Sequence, residues 1–247
     1  MTDHAPEEPR SRAYDAVLAS VEEGIATGRL RVGDRLPSER DFAQQLGVSR
    51  ASVREAVRVL EAMGVVRSAA GHGPDGGTVL TVGSSLALTR LLRLHIGLAN
   101  FPMPDVIETR VMFERWSCRL AAQFATEDEI ARLRETLDAM NRPGITRQEF
   151  NDLDTRFHVQ IADASHNRMV ADMTTAIRDA MSWWIMYSFE EVDDWDDLIE
   201  GLREAHAGVY EAISAHRPQR AAERIEAHIR AAYASLLWSR DAPPLRR

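Results

Sequence analysis

Apolar residues recur at helical spacing along most of the chain, and the interruptions divide it into a short head and a long body. Tyr14, Val17, Leu18, Val21 and Ile25 mark one face of a helix over 11–27. Gly28, Gly33 and Pro37, in "GRLRVGDRLPSE", then break the pattern. Ser38, with Asp41 three residues on, is a fitting N-cap for the short helix "ERDFAQQLG", which stops at Gly47. Ser49 caps the next helix, "RASVREAVRVLEAMG", whose Val53, Val57 and Leu60 face inward. Two short helices joined by the turn "GVS" read as a helix-turn-helix. Val65 and Val66 open a β segment, a Gly-rich run turns it, and Thr78–Val82 return, which predicts a hairpin wing.

From residue 84 the period stays helical. Segments are expected at 84–98, 103–125, 127–140, 146–164, 167–189, 194–215 and 218–239, separated by Pro102, Pro104, Pro143–Gly144 and Pro218. Each is amphipathic and no strand signal intervenes, so an antiparallel helical bundle follows. The expected architecture is mainly α. A polar, Pro-containing tail at 1–10 is expected to be disordered, 11–82 forms a winged helix-turn-helix, and 83–240 forms an all-α bundle.

Composition narrows the setting. The 247 residues leave room for two domains, and 45% hydrophobic with 28% charged residues is a globular profile. No apolar run approaches the roughly 18 residues of a membrane span. "MTDHAPEEPRSRAYD" lacks a basic segment followed by an apolar one, so no secretory signal is expected. Cys118 is the single cysteine, which excludes an intrachain disulfide and fits a reducing cytoplasm, with the nucleoid as the expected place of action. The net charge is −8, and all the basic residues are Arg. Between 29 and 67, eight Arg face five acids, whereas from 84 onward 20 Arg face 26 acids. A basic head on an acidic body suits a DNA-binding unit with a separate regulatory one.

A recognition helix inserts its N-terminal side chains into the major groove, where Arg bonds guanine through two donors. Arg50 and Arg54 lie one turn apart, Ala51 and Ser52 are small enough for close approach, and Arg40 on the preceding helix is placed to meet a phosphate. In the body, "DLDTRFHVQIADASHN" sets Asp154 and His158 one turn apart beside the stripe Phe150, Leu153, Phe157, Ile161. A buried carboxylate needs a partner. His206 and His228 each border an apolar stripe on another segment. Singly, each is more often a core histidine satisfied by a hydrogen bond. Together, three imidazoles and one carboxylate would suit Zn²⁺, with Ni²⁺, Mn²⁺ or Fe²⁺ as alternatives. His4, His72, His95, His166 and His216 fall in the tail, wing, linker helix, a turn and a helix end.

The course "G-x-x-L-P-S-E-R-x-x-A-x-x-L-G-V-S-R-x-x-V-R-E-A-x-x-x-L" resembles, without a gap, the winged helix of GntR-family bacterial transcription regulators over about 11–82. The resemblance implies DNA contacts from Arg40, Arg50, Ser52 and Arg54, with Ala51 beside them and the wing near His72 and Gly73. The wing "AAGHGPDGGTV" is longer and richer in Gly than the family's usual turn. The body resembles the FCD domain of the FadR branch, with "D-x-x-F-H" at 154–158, "A-S-H-N" at 164–167, "E-A-H" at 204–206 and His228 in the family's order. His166 departs from that pattern, which commonly has Gly there. Metal-binding members use one Asp and three His, which carry over to Asp154, His158, His206 and His228. An Arg at the position of Arg110 often engages effector carboxylates, and Asn167, within the "A-S-H-N" motif, is expected to join it in binding the effector. Arg110 has the alternative of an ion pair with Glu114 at i+4, and Asn167 that of a helix cap.

These readings imply a homodimeric regulator, a repressor by the family's commoner mode, that binds a pseudo-palindromic operator in double-stranded DNA and answers to a small organic acid held near a divalent metal. The rival reading is a metal-dependent hydrolase with an accessory DNA-binding domain. No "H-E-x-x-H" run supports it.

Overall fold

A computed structural model of the chain describes residues 9–69, 77–81, 85–98 and 100–235. The chain forms two compact units, Met1–Ala87 and Leu88–Arg247. The first holds α1 (Pro9–Ala26), α2 (Glu39–Leu46), α3 (Arg50–Ala62), β1 (Val66–Ala69) and β2 (Gly77–Leu80). Helix α1 takes in Pro9 and Arg10, which the sequence reading assigned to a disordered tail; Pro is favoured at a first helical turn because it has no N–H to leave unpaired. Residues 1–8 lie outside the described residues.

Local chemistry sets the helix-turn-helix. Ser38 Oγ accepts from the Asp41 backbone N–H at 3.2 Å and donates to the Asp41 carboxylate at 2.7 Å, which starts α2. Gly47 ends it at φ 66°, ψ 28°, a left-handed conformation that costs an L side chain free energy. Ser49 Oγ then accepts from the Ser52 N–H at 3.1 Å and starts α3. Val17, Val21, Phe42, Val53, Ala56 and Leu60 close a small core between α1, α2 and α3.

The wing pairs antiparallel, from Val66 opposite Leu80 to Ala69 opposite Gly77. The stretch before α2, which the sequence showed only as a break, adds an edge to it: Arg35 bridges Val79, and the Leu36 N–H donates to the Thr78 carbonyl at 2.9 Å. The expectation of a small β-hairpin on a helical head holds.

The second unit is helical among its described residues. It comprises α4 (Ser85–Gly97), α5 (Met103–Phe124), α6 (Glu127–Met140), α7 (Arg147–Asp163), α8 (Arg168–Glu191), α9 (Trp195–Ser214) and α10 (Pro218–Ser235). Helix α4 begins at the end of the first unit and continues into the second from Leu88. Capping boxes Thr126/Glu129 and Thr146/Glu149 start α6 and α7. Helix α5 packs against α7, α8, α9 and α10, so its side chains meet those of four neighbours. Leu133, Met140, Phe150, Phe157, Ile213 and Ile225 are among the fully buried residues of this core. His166, at the position where the resemblance expects Gly, has φ 53°, the backbone region that favours Gly. Among the described residues, no helix is long and apolar enough to cross a membrane.

Candidate metal centre

The head presents a basic face. Arg50, Ala51 and Arg54 are exposed on the first turns of α3, with Arg54 Nη1 3.4 Å from Glu39. Arg40 on α2 is 80% exposed and lies 3.4 Å from its neighbour Asp41. Ser52, expected among the DNA contacts, belongs to the turn. It is buried at the start of α3, its Oγ lies 2.9 Å from Ser49 Oγ, and its N–H completes the helix cap. His72 and Gly73 lie outside the described residues.

In the body, Asp154 and His158 from α7, His206 from α9 and His228 from α10 converge. Each is buried, and one donor atom from each falls within 4.8 Å of all the others. The periodicity of each helix explains this. Asp154 and His158 share the inward face with Phe150, Phe157 and Ile161, His206 follows Leu202, and His228 sits between Ile225 and Ile229. Asp154 Oδ1 lies 2.9 Å from His206 Nε2 and 3.6 Å from His158 Nε2. The imidazole centroids are 4.4 Å apart for His206 and His228, and 5.3 Å for His158 and His228.

Hydrogen bonding does not account for the cluster. His158 Nε2, both nitrogens of His206 and His228 Nδ1 are buried with no hydrogen-bond partner. The 2.9 Å approach of His206 to Asp154 meets the distance of a hydrogen bond but not its direction. Leaving a buried polar atom unpaired costs about 1–3 kcal/mol, so several in one spot need an explanation. A divalent cation among them supplies one, since it would take lone pairs from three imidazoles and one carboxylate oxygen. That donor set suits a borderline metal.

Two residues that the sequence reading did not assign to the site complete it. Arg178 of α8 bonds Asp154 Oδ2 through Nη2 and lies 3.5 Å from Glu114 through Nη1. Glu114 of α5 bonds His158 Nδ1 through Oε2 and Arg110 Nε through Oε1. The available signal was an ionic residue at a core position. Arg178 falls in register with Thr174 and Met181, and Glu114 with Val111 and Cys118, all buried. Arg110, expected near an effector, does stand beside the cluster, where its Nη1 lies 3.1 Å from the Tyr233 hydroxyl. Its pairing with Glu114 is real but fully buried, not a surface bridge.

Asn167 is not brought to this site. It is exposed, its Oδ1 accepts from the Val170 N–H at 3.2 Å, and about three helical turns of α8 separate it from Arg178.

The electrostatics separate the three histidines. Burial, reinforced by neighbouring positive charge, pushes His228 well below its ordinary value. Burial likewise lowers His206, against the pull of Asp154. Both therefore keep free lone pairs. Burial also opposes charge on His158, but Glu114 and Asp154 on either side outweigh it and raise this imidazole to about 9. Burial disfavours the Asp154 carboxylate, yet the imidazoles of His158 and His206 hold it well below the usual range. A cavity of about 360 Å³ along α9 and α10, lined by Asp194, Asp197, Gly201 and Ala205, reaches His228.

Comparison with known proteins agrees with this division. Residues 13–74 match the bacterial regulatory proteins of the gntR family, and residues 105–231 match the FCD domain. The Glc operon transcriptional activator of Escherichia coli (strain K12) is 27% identical over 221 residues, 87% of this chain and 85% of its own. The putative L-lactate dehydrogenase operon regulatory protein of the same strain is 30% identical over 225 residues, 88% of this chain and 84% of its own. Among solved structures, Streptococcus agalactiae GntR aligns with a TM-score of 0.54 at 23% identity, over 92% of this chain and 100% of that one.

Proposed function

The chain belongs to the GntR family of bacterial regulatory proteins, with an FCD domain as its body, and on that premise we propose that it is a homodimeric, metal-dependent repressor released from its operator by a small organic acid. The observation that carries this reading is the buried group Asp154, His158, His206 and His228, with its unpaired nitrogens. These four residues would hold the metal, with Zn²⁺ the first choice and Ni²⁺, Mn²⁺ and Fe²⁺ the alternatives. Bound there, it would offer an electrophilic seat for an anionic oxygen.

Charge counting favours an acid as the effector. Asp154 is already offset by Arg178, and Glu114 by Arg110. A divalent ion therefore adds positive charge to a low-dielectric cluster whose two buried carboxylates are both already paired, and an anionic ligand relieves this. Arg110 supports the same class of ligand. One edge of its guanidinium is held by Glu114, while the Nη1 edge meets only the neutral Tyr233 hydroxyl, which a carboxylate would replace as the stronger acceptor. A relative named for an L-lactate dehydrogenase operon suits a small acid.

On the head, Arg50 and Arg54 would read base edges and Arg40 would hold a phosphate, with the wing near His72 and Gly73 adding contacts. One recognition helix covers a half-site, so a two-fold dimer on a pseudo-palindrome is the working unit, acting in the cytoplasm at the nucleoid. The Glc relative carries the word activator in its name, so the sign of regulation needs its own measurement. The hydrolase alternative is weaker, because Glu114, the additional carboxylate beside the cluster, is engaged by three partners and offers no free base.

The test uses tag-free protein purified without chelator. Elemental analysis should give near one equivalent of a divalent metal per chain, or uptake of one on titration. Small carboxylic acids should then lower operator affinity in fluorescence anisotropy at fixed salt, and a promoter fusion gives the sign. Less than about a tenth of an equivalent with no uptake would refute the metal reading, since unpaired donors would then persist at their full desolvation cost.

A further inference from the structure

Glu114 carries an inference that rests on the metal reading and extends it. Its carboxylate is not one of the four donors that cluster within 4.8 Å. Instead both of its oxygens are spent on other groups. Oε1 accepts from Arg110 Nε at 2.5 Å and faces Arg178 Nη1 at 3.5 Å, while Oε2 meets His158 Nδ1. An ionised carboxylate only accepts hydrogen bonds, so the proton of this contact sits on His158 Nδ1. The opposite nitrogen, Nε2, points to the cluster, 3.6 Å from Asp154 Oδ1 and without a hydrogen bond of its own.

We propose that Glu114 is the positioning residue of the metal centre: it fixes the His158 ring with Nδ1–H outward and Nε2 toward Asp154, His206 and His228, while Arg110 and Arg178 hold Glu114 in place for that task. Histidine ligands commonly donate their second N–H to a carboxylate, which sets the tautomer and raises the basicity of the ligating nitrogen. The two arginines add direction. They approach one oxygen from α5 and α8 and leave the other free to face α7. Glu114 thereby ties α5, which provides none of the four donors, to the centre.

The substitution Glu114→Gln separates this role from packing. Glutamine has nearly the same shape but one acceptor and one donor end. With its oxygen kept on Arg110 and Arg178, its NH₂ faces His158 Nδ1, demands a lone pair there and drives the proton to Nε2, where it blocks ligation. With the amide turned, the NH₂ faces two guanidinium groups. The variant should bind Zn²⁺ about 10- to 100-fold more weakly in competition with a chromophoric chelator. Glu114→Asp, which keeps two acceptor oxygens, should recover part of that loss.

Imidazole ¹⁵N NMR of the Zn²⁺-loaded parent gives a second readout. His158 should show a protonated Nδ1 and a metal-shifted Nε2. Parent protein that takes up no Zn²⁺ removes the metal reading and this inference with it. A parent that binds while Glu114→Gln binds equally tightly overturns the inference alone. Should Glu114→Gln fail to fold, the parent spectrum decides, because coordination of His158 through Nδ1 overturns the proposal.

Discussion

His206→Ala tests the centre most directly, because it separates what the metal contributes from what the imidazole contributes as packing. His206 is fully buried, its ring centroid lies 5.2 Å from Phe157 and 6.2 Å from Phe150, and neither nitrogen has a hydrogen-bond partner. Without metal, truncation opens a void in this aromatic shell but also removes two unpaired polar atoms. The opposed effects leave a net loss of about 1–3 kcal/mol. With metal, a ligand at 1,000 times its dissociation constant stabilises the parent by about 4 kcal/mol. For a unit of this size, each kcal/mol moves the melting temperature by roughly 2–4 °C, so Zn²⁺ should raise the parent by roughly 8–16 °C. The variant, with three donors left, should lose most of that increment. The assay is thermal unfolding of tag-free parent and variant, each stripped with EDTA and then measured with and without excess Zn²⁺. An equal Zn²⁺-dependent rise in both proteins would refute the assignment of His206, and no rise in either would refute the site.

Three further outcomes follow. Arg54→Ala should weaken operator binding by about 1–3 kcal/mol in a salt-controlled titration, whereas Arg40→Ala should weaken operator and random DNA alike. Unchanged operator affinity for Arg54→Ala would remove α3 as the reading helix. Asp154→Ala removes the nearer carboxylate from the fully buried Arg178 guanidinium, leaves it only the 3.5 Å contact with Glu114, and should destabilise even metal-free protein by about 3–5 kcal/mol in urea unfolding. A loss below about 1 kcal/mol would show that Arg178 finds another partner. Sedimentation velocity should give a dimer both free and on DNA, and monomer in both conditions would contradict a symmetric operator complex.

The helices were legible because their signals are local. Periodicity marks each amphipathic face, and Ser38, Gly47, Ser49, Thr126 and Thr146 punctuate the chain through bonds to residues within one turn. Asp154, His158, His206 and His228 were legible as polar residues at core positions. Their convergence was implied by the resemblance to the FCD domain and not by spacing, since it depends on how α7, α9 and α10 pack, and spacing within one helix is silent about that. Glu114 and Arg178 escaped assignment to the site for the opposite reason. A charged residue on a helix usually faces solvent, and the ion pair of Arg110 with Glu114 at i+4 looks the same on an exposed face as on a buried one.

The paired charges at the heart of the bundle also constrain how this protein can change over generations. Arg178 is tied to Asp154 and Arg110 to Glu114, all four of them buried. A lineage that lost Asp154 alone would inherit a core cation without its nearest counter-charge, and one that lost Arg178 alone a core anion in the same position. Descendants that abandon the metal should therefore have replaced positions 154 and 178 together, and position 114 in step with 110. Covariation of these two pairs among relatives, with the histidines free to drift once the pairs are gone, would be the historical trace of the site's electrostatics.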